Sequence, residues 1–240
     1  MELGISTRRA AVAAASPGLG FASAAALAAE GVRVAICGRD RERIDDAAAK
    51  IGHDCVPLVA DVATLEGASG FVDAAIAALG GVDILVTNAG GPPPGTFEST
   101  PVELYPDAID LNLMSVVAMC KAAVPSMRSR RWGRVVAITS VAVRQPMANL
   151  ILSNTARAGA TGFLKTLARE VASDGVTVNS VQPGLHRTAR VTALYGDDVD
   201  MPLGDPADFG AVVAFLCSEQ AKFTTGVQLH VDGGSYAALL

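Results

Sequence analysis

Cysteine, aromatic residues and charge are all in short supply. The four cysteines, Cys37, Cys55, Cys120 and Cys217, stand far apart. They form no CxxC pair, so neither a zinc site nor a redox dithiol is signalled. Isolated thiols fit a reducing cytoplasm, which is the expected location. Aromatics make up only 5% of the chain, which argues for helices packed on a sheet rather than an all-β sandwich. Charged residues amount to 18%, and 19 Lys+Arg against 24 Asp+Glu leave a formal net charge of -5. That mild acidity offers no electrostatic footprint for nucleic acid or an anionic membrane. No run of about 18 apolar residues is free of charges and turn signals, so no membrane span is expected.

Alanine, glycine and aliphatic residues fill the space that is left. Half of the 240 residues are hydrophobic and 24 are glycine. Such a chain buries a large core without disulfide or metal staples, and it is too apolar for disorder. The length fits one large domain or at most two small ones. Arg8-Arg9 ahead of Ala10–Ala15 has a trace of an export signal, but the apolar stretch is short and runs at once into Ser16-Pro17-Gly18. A first strand entering a glycine turn explains it better.

Short apolar runs alternate with helical stretches. Strands are expected at Ala10–Ala15, Val32–Cys37, Val56–Val59, Ile84–Thr87, Val135–Thr139, Thr177–Val181 and Val227–Val231. Helices are expected at Gly18–Glu30, Arg41–Ile51, Leu65–Leu79, Val102–Met127, Ser153–Ala172 and Asp208–Cys217. Val/Ile-rich strands alternating with helices predict a parallel sheet covered on both faces. Right-handed crossovers make it a doubly wound, Rossmann-type α/β sheet. Gly91–Gly95 is too short to separate domains, so 1–240 reads as one domain.

The first strand runs into Ala14-Ala15-Ser16-Pro17-Gly18-Leu19-Gly20 and then a helix. Glycines at such a turn let the backbone approach a pyrophosphate, which a helix N-terminus also favours. With Asn88-Ala89-Gly90 after the fourth strand, Asp61-Val62 after the third, Leu111-Asn112-Leu113 in the long helix, Pro183-Gly184 with Thr188, and Val231–Gly234 near the end, the chain resembles the short-chain dehydrogenase/reductase family over essentially its full length. The family's TGxxxGxG turn has Ala13 and Ala14 at its TG positions here, with Gly18 and Gly20 retained. The resemblance implies seven parallel strands in the order 3-2-1-4-5-6-7. It implies a dinucleotide held by Ala14, Ser16, Pro17, Gly18, Leu19, Gly20, Asp61, Val62, Asn88, Ala89, Gly90, Pro183, Gly184 and Thr188. It also implies a homotetramer or homodimer, with the two long helices forming one interface and Ala156, Gly159 and Ala160 permitting close approach there.

An acid at the end of the second strand binds the ribose 2′-hydroxyl of NAD. That strand ends Cys37-Gly38-Arg39. Arg39 suits a 2′-phosphate by charge-assisted hydrogen bonds, so NADP(H) is expected over NAD(H). The alternative for Arg39 is a solvated arginine beside Asp40 or Glu42.

The catalytic positions depart from the family's Ser, Tyr and Lys. Ser140 aligns with the serine, but Ser153 and Arg157 stand where YxxxK belongs, and Asn112 completes the set. The four-residue spacing puts Ser153 and Arg157 on one helix face. A serine hydroxyl is a far poorer acid than a phenol, and arginine stays protonated. Arg157 can still stabilise an oxyanion, and hydride transfer needs only a positioned nicotinamide. The missing proton could come from water, from His186 or from Tyr195. For His186 a solvent-facing loop position is the expectation, and for Tyr195 a lid aromatic over apolar surface. Arg144 reads as a solvated loop arginine, and Arg128, Arg130, Arg131 and Arg134 as charge pairing at a helix C-terminus. Val191–Leu203 is short for a lid.

The expected function is interconversion of a small carbonyl and alcohol, a 3-oxoacyl compound or similar ketone. The alternatives are a nucleotide-binding pseudoenzyme or regulatory subunit, and a non-redox lyase or isomerase. No metal is expected.

Overall fold

A computed structural model describes residues 2–196 and 202–239. Seven strands form one sheet: β1 (Arg9–Val12), β2 (Arg33–Gly38), β3 (Val56–Val59), β4 (Ile84–Thr87), β5 (Gly133–Ile138), β6 (Val176–Pro183) and β7 (Gln228–Val231). Their order is β3-β2-β1-β4-β5-β6-β7, and every pair is parallel. The expected doubly wound α/β topology is the one observed. Parallel pairing sends all strand C-termini to one edge, where β1 and β4 stand beside each other at the point where the strand order reverses.

The strands alternate their side chains between two layers, as a period of two requires. Ala11, Ala35, Leu85, Val135 and Val178 face one core with the helices α3 (Leu65–Leu79), α5 (Ser115–Ser129) and α6 (Ile151–Val171). Val12, Ile36, Val86, Val136 and Val181 face the other, with α1 (Gly18–Ala29), α2 (Arg41–Ile51) and α8 (Pro206–Leu216). Several helices start on a side-chain cap: Asp40 accepts from Arg43 N, Thr64 from Gly67 N, and Asp205 from Ala207 N. Such caps satisfy a donor that the first turn leaves over.

Several expected boundaries move. The first strand stops at Val12 rather than Ala15, because Ala14 turns to φ 47. The helix expected at Val102–Met127 is three pieces: α4 (Leu104–Ile109), a π-turn (Asp110–Met114) and α5. The stretch Leu104–Ser129 is long and apolar enough to cross a bilayer by composition. Its Met119, Cys120, Ala123, Val124 and Met127 lie in the core, so it is a core helix of the sheet. Ala156 and Ala160 do not face outward as expected for an interface. They are buried in the chain's own core, and of that trio only Gly159 is exposed. The spacing of four that joins Ala156 to Ala160 continues to Leu164 and Ala168, the inward stripe of α6.

The arginine cluster behaves largely as expected. Arg128 pairs with Asp174 and Arg130 with Asp83. Arg134 also has an acidic partner, Glu219 at 3.8 Å, but is buried, with its guanidinium and that of Arg8 both against the Trp132 ring.

Candidate active site and cofactor cleft

The turn after β1 is tightly built. Gly18 adopts φ 70, a left-handed conformation that suits glycine. Asn88 Nδ2, just past β4, donates to Ala14 O at 3.1 Å. A Cβ on Gly20 would lie 2.7 Å from Ala14 O and 2.8 Å from Asn88 Nδ2, so only glycine allows this approach. α1 opens on Pro17 with no side-chain cap, unlike α2, α3 and α8. Its free first-turn N–H groups suit a diphosphate. Ser16 and Leu19 frame this turn.

The adenosine side lies at the ends of β2 and β3. A Cβ on Gly38 would collide with Ser16 Oγ, so an acid there would have to displace Ser16. Arg39 follows, exposed and without an ion pair among the described residues. Asp40 is occupied in capping α2 through Arg43 N at 2.9 Å. Asp61 Oδ1 accepts from Ala63 N at 3.0 Å, while Val62 is buried beneath it. These residues could hold the adenosine end of a dinucleotide.

The reaction end gathers at β4, β5 and the π-turn. Asn112 sits within that turn, where the widened spiral carries it to Asn88-Ala89-Gly90. Its Nδ2 donates to Gly90 O at 2.9 Å, and its buried Oδ1 has no hydrogen-bond partner. Arg157 Nη2 donates to the same Gly90 O at 3.4 Å, and its Nη1 reaches Ile138 O at 3.2 Å and Thr139 O at 3.3 Å. Burial, and secondarily the charge of Arg190, hold the Arg157 guanidinium down to about 10. Ser140 follows directly, its Oγ accepting from Ala142 N at 3.1 Å. Ser153 is buried one turn before Arg157, and its hydroxyl makes no hydrogen bond among the described residues. The geometry therefore brings Asn112 and Arg157 onto one carbonyl, next to Ser140.

The far wall comes from β6. Gly184 N donates to Val231 O at 3.0 Å, continuing the pairing of Pro183 with Val231. A Cβ on Gly184 would lie 2.8 Å from Asp232 Cα. Thr188 caps the short helix α7 (Ala189–Tyr195) and stands against Gly18, leaning over the cofactor turn. A cleft of about 550 Å³ lies behind it, lined by Gly18, Phe21, Thr188 and Pro206 among others. It does not reach Ser140, Ser153 or Arg157.

Two residues differ from expectation or were missed. His186 is not solvent-facing. It is buried, edge-on to Phe209 at 5.3 Å, with Nδ1 3.3 Å from Gly184 O. Packing against α8, which begins twenty residues later in the chain, accounts for this. Arg190 was not singled out from sequence. Its Nη2 donates to Pro92 O at 2.8 Å in the loop after β4, and a cation two residues past Thr188 was the available signal. Residues 197–201, within the expected lid, lie outside the described residues.

Known proteins match this chain along nearly its whole length. Residues 13–236 match the family model described as enoyl-(acyl carrier protein) reductase. Dehydrogenase/reductase SDR family member 4 of Bos taurus is 33% identical, over 95% of this chain and 87% of its own. The 3-oxoacyl-[acyl-carrier-protein] reductase of Vibrio cholerae is 35% identical, over 94% and 96%. The structure of L-sorbose reductase from Gluconobacter frateurii, complexed with NADPH and L-sorbose, superposes with a TM-score of 0.92 at 30% identity, over 100% of both chains. An NADPH-bound short chain oxidoreductase from Pseudomonas aeruginosa, described as containing an atypical catalytic center, gives 0.90 at 28%, over 98% and 99%. The chain belongs to the short-chain dehydrogenase/reductase family and is an oxidoreductase of it.

Proposed function

We propose that this oxidoreductase uses NADP(H) and interconverts a carbonyl and an alcohol without a tyrosine acid. The observation that carries the chemistry is Arg157, a guanidinium held among the carbonyls of Gly90, Ile138 and Thr139 beside Ser140. The preference for NADP(H) rests on Arg39 beside a side-chain-free Gly38.

The bound nicotinamide would give or take the hydride. The chain's residues do the rest. The diphosphate is received by the uncapped start of α1 at Gly18, Leu19 and Gly20, with Ser16, Pro17 and Ala14 shaping the turn and Thr188 and Pro183-Gly184 closing over it. Asp61 and Val62 frame the adenine, and Asn88, Ala89 and Gly90 line the cleft. Ser140 orients the substrate carbonyl. Arg157 stabilises the negative charge that develops on its oxygen. Asn112 Oδ1, buried and unpartnered, is the acceptor that would hold a water for proton delivery. Ser153 leaves room for that water where a phenol would stand.

A second reading, hydride addition to a carbon–carbon double bond conjugated to the carbonyl, is favoured by the same Arg157. That reaction needs an oxyanion holder more than an acid at oxygen. As in the family it resembles, the chain is proposed to assemble as a homodimer or homotetramer. Exposed Phe97 and Val102 (83% and 72%) lie near the helices that would meet.

The test is titration of purified protein with NADPH and NADH by fluorescence. NADPH oxidation is then followed with ketones, 3-oxoacyl thioesters and enones. Binding with turnover supports the reading. Binding without turnover across the panel moves the protein to a nucleotide-binding role.

A further inference from the structure

Two cations meet at the loop after β4, with no acidic partner among the described residues. Arg157 reaches Gly90 O from α6, and Arg190 reaches Pro92 O from α7. The two guanidiniums thus bracket one three-residue segment, and the Arg190 charge is felt at Arg157. Arg190 comes close enough to Gly91 that a Cβ there would lie 2.6 Å from Nη2. Neither arginine has an ion pair with an acidic residue among the described residues. Several other arginines are paired with acids, Arg9 and Arg130 with Asp83, Arg128 with Asp174, Arg187 with Asp205, while exposed ones such as Arg39 are left to solvent. What sets Arg157 and Arg190 apart is that both lie against one loop, each held only by backbone carbonyls. Two adjacent guanidiniums left without an acidic partner beside the loop after β4 are placed to take an anion brought from outside.

Two sources of that anion are conceivable, the substrate and the cofactor diphosphate. The diphosphate has its own receiver at the uncapped start of α1. Arg190 instead lies against the loop after β4, close enough to Arg157 for its charge to be felt there.

Building on the functional reading above, we propose that the substrate is a small oxo acid and that Arg190 binds its free carboxylate while Arg157 faces its carbonyl oxygen. A planar guanidinium matches a carboxylate with two parallel hydrogen bonds, which an ester or thioester cannot reciprocate. Arg190 is then a specificity-determining residue. Its rest position on Pro92 O is a contact it can exchange for the incoming carboxylate.

The experiment uses 2-oxobutanoate, phenylpyruvate and 3-oxobutanoate, each beside its ethyl ester. NADPH oxidation is measured, with calorimetric binding to NADP⁺-loaded and nucleotide-free protein. Wild-type protein should favour at least one acid over its ester by about tenfold or more in kcat/KM or Kd. Arg190→Met should erase that preference, mainly through KM, while NADPH affinity stays within about twofold. Arg190→Lys should restore part of it. Gly91→Ala, which pushes the guanidinium aside, should weaken acid binding in the same direction. Three results overturn the proposal: no acid preferred over its ester, a preference that survives Arg190→Met, or a loss of NADPH affinity in Arg190→Met matching the loss of acid binding, which assigns the anion to the cofactor. Failure of wild-type protein to bind NADPH would remove the functional reading instead. Acid binding to nucleotide-free protein, lost in Arg190→Met, would still uphold the carboxylate site.

Discussion

Asn112 and Arg157 donate to the same acceptor, the carbonyl oxygen of Gly90, at 2.9 and 3.4 Å. The first reaches it from a π-turn between α4 and α5, the second from α6. This shared carbonyl ties the loop after β4 to both helices. It fixes where a positive charge stands relative to Ser140, the place at which the proposed reaction would need one without a lysine. An ammonium in that place is a compact point charge, whereas the guanidinium spans three carbonyls at once.

The departure at Ser153 and Arg157 predicts a gain of function. A phenol beside an ammonium is a far better proton donor than a serine beside a guanidinium. The double substitution Ser153→Tyr with Arg157→Lys should raise the rate of ketone reduction by about tenfold or more, within the range general acids contribute. Steady-state NADPH oxidation measures it. A folded, NADPH-binding double variant with no gain would contradict the account of a reductase limited by its proton source.

Asp83 holds the N-terminal edge of the sheet. Its carboxylate accepts from Arg9 Nε at 2.8 Å, Arg9 Nη2 at 2.9 Å and Arg130 Nη2 at 3.2 Å. Burial pushes this carboxyl up, but the hydrogen bonds and charge of Arg9, helped by Arg130, outweigh it and leave it below its ordinary value. A carboxyl depressed in the folded state contributes stability that is complete above its unfolded value, 3.8, and is lost as the pH falls through the folded value. Asp83→Asn should therefore cost about 2 kcal/mol near neutral pH, less than a fully buried pair because both arginines are partly exposed. The gap between variant and wild type should close in acid below 3.8. Urea unfolding at several pH values tests this, and a gap that widens in acid would refute it.

The cysteines should be inert. Burial pushes Cys37, Cys120 and Cys217 up to about 12 and Cys55 to about 11. Thiolate is the reactive form. A chromogenic disulfide at mildly alkaline pH should modify Cys55 slowly and the other three only after denaturation, when all 4 react. Rapid release from two or more thiols in the folded state would overturn this.

Much of the scaffold was legible because its signals are local. Strand and helix periodicity, the glycine turn and Pro183-Gly184 lie in short windows, and the observed strand order is the expected one. What escaped depends on distance or on backbone geometry. Nothing near His186 announces Phe209, against which it packs. The inward turn of Ala156 and Ala160 follows from how α6 lies on the sheet, which small size alone does not reveal. The end of β1 is set by the positive φ of Ala14, a conformation alanine does not advertise. Arg190 stood in view beside Thr188, but its meaning needed the loop at Pro92 folded beneath it.

The most direct test of the central claim compares NADPH and NADH dissociation constants for wild type and Arg39→Ala. The account predicts NADPH bound at least about tenfold more tightly than NADH, with Arg39→Ala losing most of that difference and leaving NADH affinity near its starting value. Equal affinity for the two nucleotides, or a preference that survives Arg39→Ala, would contradict the cofactor assignment. Binding of neither would remove the redox chemistry proposed here and leave the family fold.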